Sequence, residues 1–402
     1  MSIDVGRAVA PLGQQLPEDP YPTYERLLAV APIVRYANGW AVLGYQAARQ
    51  ILQNDSFLAS TAPRETVDRL ADRTGHDFSV LTKLHDCILF YLDPPAHGPA
   101  RRLLARQLNR YPAEALRTAV EAIIARQLQR ARRDGGFDLV RDFARPIPAF
   151  VMSKVLGLPE SDLPELAHNS EVFVELFDLM IPFRSYLRVN EAARFLFDYF
   201  MTLVRKRRAS PGDDGISKMI RETASLPNIT DTELAGYCAF MLIAGQETTA
   251  NFIAGGAATL FQNPAAVAKL CAEPDRLPQA AEDLLRYHSP VQWVGRTASV
   301  DSFVAGVRVN AGDRLSVFLG AANRDPAVFP SSACPVLDGR QMPHLAFADG
   351  RHLCIGAALA RLEGSRAFAG LLTLPGIRLD RDNAVWSVRR NLRGLARLPV
   401  ML

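Results

Sequence analysis

The 402-residue chain has the pattern of a mainly α protein, a helix-rich body with small β elements at both ends. Between residues 95 and 291 apolar residues recur at helical spacing almost without a break. Short β-type runs lie outside that stretch. Ile33-Val34-Arg35-Tyr36 and Trp40-Ala41-Val42-Leu43 flank the turn Ala37-Asn38-Gly39, and strand signals return at 293–318 and, weakly, at 386–402. No Gly/Ser-rich or Pro-rich linker divides the chain, so a single domain over 1–402 is expected.

The elements follow in order. Pro20 opens a helix to Ala31, and Gln46–Gln53 is helical again. Residues 55–92 lack regular periodicity and are assigned to loop and short helix. Helices are expected at 98–109, at 112–133 and at 145–157, the last with Pro146 and Pro148 in its first turn. Phe- and Leu-rich helices follow at 164–183 and 187–207. The longest, 231–262, starts at a capping box, Thr230-x-x-Glu233, and stops at Asn263-Pro264. At 1.5 Å per residue it spans about 45 Å. Pro278 opens a shorter helix that Pro290 ends, and 356–373 is helical.

Composition excludes several classes. Hydrophobic residues make up 49% and charged residues 22%, which suits a large core. The net charge is only +4, and no basic run with interleaved aromatics points to nucleic acid. The five cysteines (87, 238, 271, 334, 354) form no C-x-x-C pair, against a zinc ribbon or a disulfide framework. Met1–Asp19 has no apolar signal-like core, and no 18-residue apolar run occurs, so the expectation is a cytoplasmic protein without a membrane anchor.

Chemistry concentrates in four places. Phe347-Ala348-Asp349-Gly350-Arg351-His352-Leu353-Cys354-Ile355-Gly356 puts a thiol at the start of a helix, where free N–H groups and the macrodipole favour its anion. Such a thiolate is a strong metal ligand; a buried inert cysteine is the plainer alternative. Midway along the long helix, Ala244-Gly245-Gln246-Glu247-Thr248-Thr249 places small residues on the face of Thr248, leaving a groove for a flat cofactor and a small ligand. Thr248 can bond back to its own helix or reach a ligand, with Glu247 beside it as a proton source. Asp283 and Arg286 can pair on one helix face, with Glu282 as an alternative partner. Cations occur at His97 and Arg101, four apart at a helix start, and at Arg296 and His352.

In combination these runs resemble the cytochrome P450 family, soluble bacterial type. The matching runs are Phe347-x-x-Gly350-x-His352-x-Cys354-x-Gly356, Ala244-Gly245-x-Glu247-Thr248-Thr249, Asp93-Pro94-Pro95-x-His97-x-x-x-Arg101, Arg296-Thr297-Ala298 and Asn323-Arg324-Asp325-Pro326-Ala327-Val328-Phe329. The resemblance extends from Asp19-Pro20 to Leu398-Pro399-Val400. It implies a non-covalent haem b (iron protoporphyrin IX) between the long central helix and the Cys-loop helix, with Cys354 as axial iron ligand. His97, Arg101, Arg296 and His352 would meet the propionates, and Ala244, Gly245, Phe347 and Gly356 would border the ring. Glu247 and Thr248 would be the acid–alcohol pair of oxygen activation.

The implied activity is a haem-thiolate monooxygenase that places one oxygen atom from O2 into an apolar or aromatic small molecule. Coupling, desaturation or ring closure on the same fold, a peroxide-driven peroxygenase and a non-enzymatic haem sensor are the alternatives. With no flavin or iron–sulfur motif in the chain, electrons would come from a ferredoxin or flavodoxin with its reductase, docking near Arg101, Arg102, Arg106 and Arg351. By family analogy the substrate wall comes from 60–92, Phe173, Phe177, Leu179, Met180, Phe183, Phe240, Ile243, Ala244, Val291, Val294 and the tail near Leu392. Arg184, Arg389 and Arg390 are expected at the surface, with gripping a substrate carboxylate as the alternative. The chain departs from the family pattern in three places. Asp283 stands for the usual Glu of Glu-x-x-Arg, Ala348 stands for a Gly, where the loop and the iron's potential could shift, and the 330–343 connection is short.

Overall fold

A computed structural model describes residues 18–36, 39–178, 181–226, 229–330 and 343–402. The helical body forms around Asp231–Leu260, which is buried on nearly every side. Helices Pro146–Leu156, Phe183–Ala209, Leu277–His288 and Ala357–Leu372 all pack on it. Its start is set by the reciprocal cap: Glu233 N–H donates to Thr230 Oγ1 at 3.2 Å and Thr230 N–H donates to Glu233 Oε2 at 2.8 Å. Close approach is written into its glycines. A Cβ at Gly255 would collide with the His288 ring, and one at Gly245 would stand 2.8 Å from Met152 Sδ.

The β elements gather as expected. Ile33–Tyr36 and Gly39–Val42 form the hairpin, and Gly39–Val42 runs parallel to Arg314–Val317. Val294–Ala298 pairs antiparallel with Arg314–Val317 on one side and with Phe57–Ala59 on the other, closing a five-stranded sheet. The tail is strand too: Leu395–Arg397 pairs with Val385–Trp386, and Pro399–Met401 lies between Gly136–Asp138 and Arg378–Leu379. Among the described residues no helix is long and apolar enough to cross a membrane.

Two expectations are corrected. Residues 55–92 are mostly regular, with helices Ala62–Thr74 and Ser79–His85. Ala62–Thr74 fully buries only Val67, with Leu70 and Ala71 partly buried beside it, so its apolar stripe is short; its punctuation, Pro63 at the start and left-handed Gly75 (φ 70°) at the end, was the stronger signal. The expected helix 164–183 is Leu163–Phe173 plus one turn, Val174–Phe177, after which Asp178 is extended. The next helix begins at Phe183, directly after Pro182, rather than at 187. Helices Gly215–Thr223 and Pro264–Ala272, capped by Asp214 and Asn263, had not been assigned from sequence. The connection expected to be short lies mainly in 331–342, outside the described residues.

The brace behind the Cys354 loop is resolved in favour of Asp283. Arg286 donates from Nε (3.0 Å) and Nη2 (2.8 Å) to Asp283 Oδ1, and both side chains are almost wholly buried. Its third nitrogen donates to Asn323 O at 3.0 Å, and the Asn323 side chain accepts Leu345 N–H at 2.6 Å, where the loop begins. Glu282 instead accepts two bonds from Arg361 and one from His344. Burial opposes its ionisation, but those partners prevail and hold the carboxyl down at about 2. The shorter Asp283 therefore suffices, because it needs to reach only one turn along its own helix.

The loop itself keeps its turn. Ala348 adopts the left-handed φ of 57° that a Gly would take, a strain of about 1–2 kcal/mol for a residue with a Cβ. The substitution is borne as strain, without another backbone path. Asp283→Ala strands a buried guanidinium, and denaturant unfolding is expected to show a loss of about 3–5 kcal/mol.

Candidate active site

Cys354 stands at the mouth of helix Ala357–Leu372, and its N–H donates to Phe347 O at 3.0 Å, closing the loop. The side chain opens onto a cavity of about 540 Å³, from which solvent reaches it, while the body of the protein surrounds the loop. Burial pushes the thiol's pKa up, while the Gly356 N–H, Arg101 and Arg361 pull it down. A divalent or trivalent metal would settle that contest in favour of the thiolate.

One end of the cavity carries positive charge without matching carboxylates. Arg101, Arg296 and His352 line it, and His97 packs behind His352 with ring centroids 4.7 Å apart. The sheet register puts Arg296 between Ala59 and Leu315. Its guanidinium is buried and donates to Gly295 O at 2.8 Å, and burial lowers it to about 10. Burial also lowers His97 to about 4 and His352 to about 3, with neighbouring arginines adding to both. Among the described residues none hydrogen-bonds to the buried His97 Nε2 or His352 Nδ1. One carboxylate, Asp93, approaches, at 4.0 Å from His352 and 3.9 Å from Arg351. A pair of ligand carboxylates would satisfy these groups.

Across the cavity from Cys354 runs the middle of the long helix, with Ala244, Gly245, Thr248 and Thr249 on the wall. Gly245 does more than open a groove, since its missing Cβ also admits Met152. Thr248 Oγ1 donates back to Ala244 O at 2.9 Å, so of the two options the helix bond is the one made here. Glu247 does not face the cavity beside it. Its carboxylate turns to the C-terminal tail and accepts from Arg389 Nη2 at 2.6 Å. Arg389, expected at the surface, is thereby nearly buried; Arg184 is exposed as expected, and Arg390 is partly buried.

The remaining wall is apolar and aromatic. Phe90, Tyr91, Phe177, Phe240, Ile243, Val291, Val294 and Leu392 line it. Two expected members do not: Phe173 packs behind Phe177 at 6.0 Å, and Phe183 is exposed against His76 at 5.3 Å. Leu179 and Met180 lie outside the described residues. Sequence reasoning also missed Glu363, a fully buried carboxyl on the Cys-loop helix that borders the cavity. Its only signal was an acid embedded in an Ala/Leu-rich helix.

The thiol, the cavity and the two arginines with His352 on its wall together fit a haem, whose iron and two propionates would supply their partners. Burial raises Glu363 from 4.5 to about 8. The folded state therefore holds a proton that the unfolded chain releases, and stability falls as pH rises from about 4.5 to about 8. Glu363→Gln should flatten that slope and be more stable at pH 7 by on the order of 3 kcal/mol, read by thermal unfolding across pH.

Comparison with known proteins agrees with this geometry. A family model described as cytochrome P450 matches residues 42–374. A putative cytochrome P450 140 of Mycobacterium tuberculosis is 34% identical, covering 96% of this chain and 89% of that protein. The cytochrome P450 monooxygenase PikC of Streptomyces venezuelae is 33% identical, covering 97% and 92%. The crystal structure of P450BioI in complex with hexadec-9Z-enoic acid ligated acyl carrier protein superposes with a TM-score of 0.86 at 29% identity, over 96% of this chain and 99% of that one. With a thiol loop and a small-residue helix lining one cavity, and with these relatives, the chain belongs to the cytochrome P450 family of haem-dependent monooxygenases.

Proposed function

We propose that this chain is a haem b monooxygenase acting on an apolar or aromatic small molecule, and that the Cys354 thiolate would hold the haem iron. The observation that carries the reading is the opposition of Cys354 and Thr248 across a cavity whose polar end holds Arg101, Arg296 and His352. When bound, the haem supplies oxygen activation and electron storage, which the thiolate tunes. The protein's residues supply placement. Arg101, Arg296 and His352, backed by His97, would hold the propionates, and Phe347, Ala244, Gly245 and Gly356, which line the same cavity, would border the ring.

The distal wall sets what can enter. Phe90, Phe177 and Phe240 pack edge to face, with centroids 5.4 and 5.8 Å from Phe90, and present ring surface and aliphatic neighbours to the cavity. Such a wall offers dispersion and shape but few hydrogen bonds, which favours an apolar or aromatic substrate. Thr248 Oγ1 can rotate from Ala244 O to a ligand, since the helix bond it surrenders is a weak local one. Glu247 is one residue before it and is the acid placed to exchange protons between the tail side and that hydroxyl.

Electrons come from a separate redox partner; a ferredoxin or flavodoxin with its reductase, in the cytoplasm, is the reading here. The proximal surface offers exposed Arg102 and Arg106 with Leu353 beside them, and Arg101 donates to Leu353 O at 2.8 Å. Arg351 is a weaker contributor, because it already pairs with Asp55 at 2.7 Å. An acidic partner would match this patch.

Two variants test the assignment. Cys354→Ala should abolish the red-shifted Soret band of the reduced carbon monoxide complex; an unchanged band refutes thiolate ligation. Thr248→Ala should keep haem content but divert reducing equivalents to hydrogen peroxide, lowering product per electron pair by about tenfold or more if the hydroxyl acts in proton transfer. Unaltered coupling in that variant would remove Thr248 from the reaction.

A further inference from the structure

The acid of the long helix is held from a distant part of the chain. Arg389 lies in a tail turn that is pinned on several sides. The N–H groups of Arg390 and Asn391 donate to Asp178 Oδ1 at 3.0 and 2.7 Å, and the Asn391 amide donates to Phe177 O at 3.0 Å. The Asn391 main chain and side chain also accept the N–H groups of Gln292 and Trp293. From this fixed base the guanidinium reaches three places. Nη2 donates to Glu247 Oε1 at 2.6 Å, and also lies 3.5 Å from Glu171 Oε1, while Nη1 donates to Glu171 O at 2.9 Å. Its side chain is 10% exposed and that of Glu247 is 9% exposed, so the pair is screened little by solvent.

The arrangement is asymmetric at the carboxylate. Glu247 Oε1 takes the arginine, with the Asn251 amide at 3.5 Å, and no described residue donates to Oε2. The other charged groups in the network are Glu171 on helix Leu163–Phe173, Arg145 ahead of helix Pro146–Leu156, and Asp178 and Arg390 at the tail turn. Arg145 pairs with Glu171 at 2.6 Å and so balances the second carboxylate. One arginine therefore fixes one oxygen of the acid, and leaves the other to exchange protons.

We propose that Arg389 is the positioning residue for Glu247: it anchors Oε1 in a buried ion pair from the C-terminal tail, so that Oε2 alone serves the proton path beside Thr248. The proposal rests on the role given to Glu247 above. Arginine suits the post because its planar fork meets Glu247 and the Glu171 carbonyl at once, which a lysine's point charge does not.

The test uses the haem-loaded enzyme with any turned-over substrate and its redox partners, and denaturant unfolding as a readout independent of turnover. Arg389→Gln should lower kcat severalfold with little change in KM, and raise the share of electrons lost as peroxide. Arg389→Lys should recover part of the loss. Glu247→Gln with Arg389→Gln should be no worse coupled than Glu247→Gln alone, and the two substitutions should be non-additive in unfolding. Wild-type coupling in Arg389→Gln, or losses of coupling that multiply in the double variant, would overturn the proposal. If Glu247→Gln alone couples normally while unfolding remains non-additive, the ion pair stands but the acid's assigned role, and the proposal with it, fails. Additive unfolding would show that the pair is not formed.

Discussion

The structure depends on a charge imbalance that the chain does not resolve by itself. Arg101, Arg296 and His352 line one cavity with His97 packed behind His352, and among the described residues Asp93 is the carboxylate that approaches His352. Burial opposes charge there: it leaves both histidines neutral near pH 7 and lowers Arg296 to about 10, so the two guanidiniums carry the positive charge. A fold that keeps such groups together has room for an anionic guest. The thiol of Cys354, raised by burial and lowered by its helix N–H and two arginines, adds a demand for a metal at the same place. Haem meets both demands in one molecule.

Much of the surrounding scaffold exists to keep the thiol loop in place. Arg286 is the hub, tied to Asp283 on its own helix and to Asn323, which in turn holds Leu345 at the head of the loop. Glu282, Arg361 and His344 form a second brace, with Arg361 stacked over Phe347 at 4.6 Å. Opposite, the long helix can lie flush against its neighbours because glycines occupy the crossing points. Helices Leu277–His288 and Ala357–Leu372, which brace and carry the loop, also pack on the long helix, so the two walls of the cavity are fixed together.

The sequence was informative where chemistry imposes fixed spacing. The cap Thr230-x-x-Glu233 and the hairpin strands Ile33–Tyr36 and Gly39–Val42 stand where pattern placed them, and Arg101, Arg296, His352 and Cys354 line one cavity with His97 packed behind His352. It was less informative where an element is mostly exposed, as in Ala62–Thr74, whose apolar stripe is only Val67, Leu70 and Ala71. It also failed where function depends on contacts far apart in the chain. Arg389 looked like a surface residue because nothing local reveals that Glu171 and Glu247 await it, 218 and 142 positions away. Spacing alone could not choose between Asp283 and Glu282 either, since both reach one turn; the competing claims of Arg361 and His344 on Glu282 decided it.

The central claim is that the sulfur of Cys354 ligates the haem iron from the loop side. Iron K-edge X-ray absorption of the purified protein addresses it directly. A sulfur scatterer in the iron's first shell, lost on Cys354→Ala, is the result the account predicts. A first shell of nitrogen and oxygen alone in the unaltered protein would contradict it.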